Sequence, residues 1–138
     1  MPLNRNSLRI LTSMDAPKAY QAGLNHDSPE RDLALTKGQM LGLRKHFQEH
    51  FKDPRRENRT YFASSLLVFI TMALFAGRDT LTSIQRYGNL LTNQQRPWLD
   101  FPVKKGTTLR KVPSWTSLYN FLTQIKPDDF ANCLNLWL

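Results

Sequence analysis

The stretch TYFASSLLVFITMALFAG, residues 60–77, carries no charged side chain over 18 positions. No other feature of the chain constrains the fold as strongly, because so long an uncharged run has to be kept largely from water. A bilayer or a protein core could do that. A membrane span needs ~20 predominantly apolar residues, whereas this run includes Thr60, Ser64, Ser65 and Thr71, and the chain holds no second such segment. The run therefore reads as one central helix buried on every side. Gly77 supplies a natural C-cap for it.

A helix buried all round needs neighbours, and the flanking sequence offers them. In TKGQMLGLRKHFQEHFKDPRR, Met40, Leu43, Phe47 and Phe51 recur at helical spacing. Asp53-Pro54 stops that helix, since the residue before a proline is pushed out of the helical region. In DTLTSIQRYGNLL, Asp79 or Thr80 caps, Leu81, Ile84 and Tyr87 point inward, and Gly88 ends or kinks the helix. PSWTSLYNFLTQI is a further helix, capped by Ser114, with Trp115, Leu118, Leu122 and Ile125 on one face. Pro127 opens PDDFANCLNLWL, and Asp128 and Asp129 in its first turn suit the helix dipole. There Phe130 and Trp137 fit the core, while Leu136 and Leu138 fit it less well.

Two stretches look different. Residues 92–113 hold three prolines, a glycine and a basic cluster, and read as loop or hairpin. Residues 1–35 read as a partly ordered arm: SLRILTSM makes a short helix or strand, and Ser28 with Pro29 marks a helix start. The expected architecture is all-α. A helical domain over 36–138 surrounds the central apolar helix, and its C-terminal half is an elaborated helix-turn-helix. The gap ahead of the Ser114 helix exceeds the usual 3–4-residue turn.

Charge narrows the class of function. The net charge is +8 and the pI about 10.0, a balance that favours a polyanionic partner. No acidic residue occurs between Phe101 and Pro127. Cys133 is the only cysteine, which excludes an internal disulfide and a multi-cysteine zinc site. With no charged-then-apolar leader at Met1, a cytoplasmic home is expected. HFQEH, His46 to His50, matches the H-x-x-E-H pattern of inverted zinc proteases, but no later histidine exists to complete a site. The two histidines read as surface residues beside Arg44 and Lys45.

The order of these features resembles the small helical domain that precedes the catalytic domain in transposases of the ISAs1 type, the H-repeat-associated group. HFQEHFKDPRR is similar to that family's Phe-rich helix ending in Asp-Pro-Arg. YFASSLLVFITMALFAGRDTLTSIQRYG is similar to its long apolar helix and the helix after it. PSWTSLYNFL resembles its Pro-Ser-x-x-Thr helix, with Ser117 in place of the threonine and Asn120 in place of a following arginine. IKPDDFANCLNLWL resembles its closing helix. The resemblance implies a DNA-handling domain. It also implies that strand transfer belongs to a separate RNase H-like domain, whose three carboxylates hold two metal ions and which this sequence is not expected to include.

The residues support the same direction. On the Ser114 helix, Thr116, Ser117, Tyr119, Asn120 and Thr123 make a polar side free of acids, suited to meeting base edges in a groove. Lys104, Lys105, Arg110 and Lys111 precede it and would contact phosphates. Backbone N–H groups at Ser114 suit another phosphate, and Arg86 and Arg96 extend the same face. The expected function is a non-catalytic DNA-binding or adaptor module acting within a larger complex, with DNA favoured over RNA and no cofactor, metal or membrane. A protein partner, or a second copy, is expected at Leu136 and Leu138. The alternatives are a protein-interaction subunit of a nucleoprotein or defence-type assembly, and a hydrolase built on His46, Glu49 and His50.

Overall fold

The computed structural model describes residues 34–55 and 60–138. The expected helix start at Ser28 and Pro29, and SLRILTSM, lie outside the described residues. Among the described residues five α-helices follow in order: α1 (Lys37–His50), α2 (Ala63–Phe75), α3 (Leu81–Gly88), α4 (Trp115–Gln124) and α5 (Pro127–Trp137), with a 3-10 helix at Arg96–Leu99.

α2 is the centre of the fold, as its lack of charge demands. Every residue from Ala63 to Leu74 is buried, and α1, α3 and the 3-10 helix pack against it. Among the described residues no helix is long and apolar enough to cross a membrane. The helix stops in a Schellman arrangement. Arg78 N–H bonds the Ala73 carbonyl at 2.9 Å, Gly77 N–H bonds that of Leu74 at 3.0 Å, and Gly77 takes the positive φ of 85° that this ending requires.

α1 begins with a capping box. Thr36 Oγ1 accepts from Gln39 N–H at 3.2 Å, and Gln39 Oε1 accepts from Thr36 N–H at 3.0 Å. Its buried stripe is Met40, Leu43 and Phe47, and Phe51 serves as C-cap while packing against the core. Ala34 and Leu35 are buried just ahead of it, and Ala34 N–H donates to the Tyr87 hydroxyl at 3.1 Å. Ala34 and Leu35 both belong to the core cluster.

α3 is capped by Thr80, whose Oγ1 accepts from Ser83 N–H at 3.2 Å; of the two candidate caps the structure uses this one. Leu81, Ile84 and Tyr87 are its buried residues, together with Gly88. Gly88 sits where α3 nearly touches α2: a Cβ there would stand 3.2 Å from Phe69 Cζ and 3.4 Å from Val112 Cβ.

α4 packs on α3, and α5 packs on α1. One expectation fails on α4. Leu118, Phe121, Leu122 and Ile125 are buried, but Trp115 is 43% exposed. The helix is turned so that Phe121, and not Trp115, joins Leu118 and Leu122 in facing the core. On α5, Phe130 is buried and Trp137 packs partly against the core, while Leu136 is 74% exposed.

Candidate nucleic-acid interface

Residues 92–113 are held by side chains more than by strand pairing. After the 3-10 helix the chain turns back at an isolated antiparallel bridge, Val103 to Arg110. Lys104 N–H bonds the Leu109 carbonyl at 2.7 Å and Lys111 N–H that of Pro102 at 2.8 Å. At the tip, Thr107 N–H returns to the Lys104 carbonyl at 3.0 Å. Gly106 there has φ 78°, the value that the third position of a type II turn needs.

Two arginines and a tyrosine fix the base of this hairpin. Arg96 donates from Nε to the Leu91 carbonyl at 3.1 Å and from Nη1 to the Arg110 carbonyl at 3.0 Å. Arg110 donates from Nη1 to the Phe101 carbonyl at 2.8 Å, with Asp100 Oδ1 4.0 Å away. The Tyr61 hydroxyl donates to the Val112 carbonyl at 3.1 Å, and burial pushes that phenol above its ordinary range. The backbone carbonyls of a loop without a ladder thereby find partners, as buried and half-buried carbonyls must.

The result is an open groove of about 400 Å³ between Tyr61, the hairpin and the start of α4. Lys104, Arg110, Lys111 and Ser114 line it, with Arg96 in its wall. The structure thus brings together five of the residues singled out from the sequence, Arg96, Lys104, Arg110, Lys111 and Ser114. Their roles differ. Lys104, Lys105 and Lys111 are exposed, with Lys105 on the turn and outside the groove lining, whereas Arg110 is half-buried and its guanidinium works within the loop. Arg96 is likewise committed to carbonyls. Arg86 is exposed on α3, the helix beneath α4, and does not line the groove.

On α4 the polar residues also divide. Ser114 Oγ accepts from Ser117 N–H at 3.1 Å and donates to Ser117 Oγ at the same distance, so both hydroxyls serve the helix start. Thr116 and Asn120 are exposed one turn apart. Tyr119, expected on the open side, is half-buried and packs against the core. Trp115 stacks on it with ring centroids 5.1 Å apart and planes within 8°. That pair was not singled out from the sequence, although its i, i+4 spacing is the signal for such a contact.

The histidine motif lies elsewhere, on α1, and one of its two histidines is engaged by the fold. His46 is no open surface residue. Its Nε2 donates to the Cys133 carbonyl of α5 at 2.6 Å, and its ring lies 4.6 Å from that of His50. Among the described residues no group of three or more His, Cys, Asp or Glu could hold a metal ion.

A comparison with known protein families gives a match. The sequence profile of the family described as DDE_Tnp_1-associated matches residues 45–138. No match was found among curated proteins or solved structures.

Proposed function

The chain belongs to the DDE_Tnp_1-associated family, and from that premise we propose that it is a non-catalytic module that binds DNA within a larger assembly. The groove carries this reading. Lys104 and Lys111 stand exposed on its rim, Arg110 adds positive charge to its wall, and the N-terminus of α4 opens into it at Ser114. Phosphate oxygens suit such a place, because lysines neutralise them and free helical N–H groups hydrogen-bond them. Asp100 Oδ1 lies 4.0 Å from Arg110, and after it the sequence has no other acid until Asp128.

The test is a salt titration of binding to a labelled duplex, read by fluorescence anisotropy. Each neutralised phosphate contributes a slope of about −0.9 in log affinity against log salt. Charge reversal at Lys104, Lys105 and Lys111 is expected to flatten the slope by about 2 to 3. An unchanged slope and affinity would reject the proposal.

A second reading makes the module chiefly a protein-binding subunit. It is favoured by Leu136 and Leu138 of the last turn, 74% and 45% exposed, since large apolar groups in solvent mark contact surfaces when they cluster. The same titration separates the two: a protein-binding subunit leaves no salt-dependent complex with DNA.

A further inference from the structure

We infer that this interface takes a DNA strand with unpaired bases, one of which stacks on Trp115; the inference rests on the reading of the groove as a nucleic-acid interface and names its substrate class.

The observation is the Trp115–Tyr119 stack. Tyr119 is anchored against the core, and Trp115 lies flat on it, within 8° of parallel. The indole is therefore held in one orientation while 43% of the residue remains in solvent. Tryptophan is normally among the largest contributors to buried apolar surface. Here it is left open, and its rotamer is set by the ring behind it, so a ligand would not have to order it on binding.

Its position supplies the rest. Trp115 directly follows Ser114, which lines the groove with Lys104, Arg110 and Lys111. A cationic track beside an exposed, pre-oriented aromatic ring is how proteins hold single strands: the cations follow the phosphates and the ring takes a base face. The positive charge attracts an anionic occupant and repels a cationic one, and the flat ring selects among anionic occupants those with flat faces.

Intact duplex fits this turn of α4 less well. In B-DNA each base face is covered by its neighbours, and proteins read the edges with short polar groups. The first turn of α4 instead presents an indole, which has one donor and no acceptor. Ser114 and Ser117, which could have read edges, are hydrogen-bonded to each other. Thr116 and Asn120 remain exposed on the helix, enough to touch a splayed base beside the stacked one.

The experiment compares the full chain with oligodeoxythymidine and a blunt duplex of equal length, by anisotropy and by tryptophan fluorescence. Trp98 and Trp137 also emit, so quenching is read as the difference between the native chain and Trp115→Phe. The expected results are tighter binding of the single strand and quenching that Trp115→Phe removes. Trp115→Ala should weaken single-strand binding on the order of tenfold or more, abolishing the preference, while Trp115→Phe keeps most of the affinity. If Trp115→Ala folds poorly, the native chain's quenching and the phenylalanine variant still decide the matter. Salt-dependent duplex binding with no strand preference and no quenching overturns this inference but leaves the interface standing. Tighter binding of oligouridine than of oligodeoxythymidine overturns the assignment to DNA. No salt-dependent binding of either form overturns the underlying reading, and this one with it.

Discussion

Two glycines in helices meet opposite surroundings, and the contrast separates backbone propensity from packing. A Cβ on Gly42, in the middle of α1, would meet nothing within 4 Å. Alanine there should stabilise the fold by about 0.5–1 kcal/mol, because glycine loses the most backbone freedom in a helix. Gly88→Ala gains a similar propensity term but places its Cβ 3.2 Å from Phe69 Cζ. Phe69 is fully buried, with Tyr87 and Phe101 against it edge-on at 6.1 and 5.8 Å, so the ring has little room to give. Overpacking costs about 1–3 kcal/mol and outweighs the propensity gain. Thermal melts should show Gly42→Ala above the native chain and Gly88→Ala below it. Gly88 was legible in the sequence as a helix end, but its actual constraint, closeness to Phe69 and Val112, was not. That constraint comes from residues distant in the chain.

Among the elements, those that bury a face were legible and those held by side chains were not. The uncharged run led directly to α2, because burial on all sides leaves no periodicity for charge to occupy. Met40, Leu43 and Phe47 led to α1, and Ser114 marked the start of α4. The rotation of α4 was missed, since which residue turns inward at a helix end depends on what lies opposite. The hairpin base was missed for a related reason. Arg96 and Arg110 looked like phosphate ligands by charge alone, but both guanidiniums bind loop carbonyls. Arg96→Gln and Lys104→Gln therefore remove the same charge with different results. The first loses two charge-assisted hydrogen bonds at a half-buried site and should cost about 2 kcal/mol in chemical denaturation. The second should stay within about 0.5 kcal/mol and reduce the salt slope of DNA binding by about 0.9. Equal stability of the two variants would mean that Arg96 does not hold the hairpin.

At the scale of the whole molecule, one continuous core joins the hairpin side to the α1–α5 side, and two weak acids sit in it, Tyr61 and Cys133. Tyr61 holds the hairpin to the core. Cys133 lies buried on α5, where its carbonyl receives His46. Burial raises both groups above their ordinary values of 10.0 for the phenol and 9.0 for the thiol. Between its ordinary value and the raised one, each group keeps its proton when folded and loses it when unfolded. The unfolded chain then binds fewer protons, so stability falls as pH rises. The contribution of Cys133 is complete below pH 9.0 and declines above it; that of Tyr61 begins to decline near 10.0. Lysines also titrate in this range, so the native chain must be compared with Cys133→Ala. Melting temperatures taken in small pH steps should start to drop near 9 in the native chain and nearer 10 in the variant. Both residues belong to one core cluster, so the hairpin and the α1–α5 contact should be lost in a single transition rather than in two. Coincident melts by near-ultraviolet dichroism and by reactivity of the Cys133 thiol would bear that out. A thiol that opens well before the aromatic signal changes would show that α5 detaches on its own.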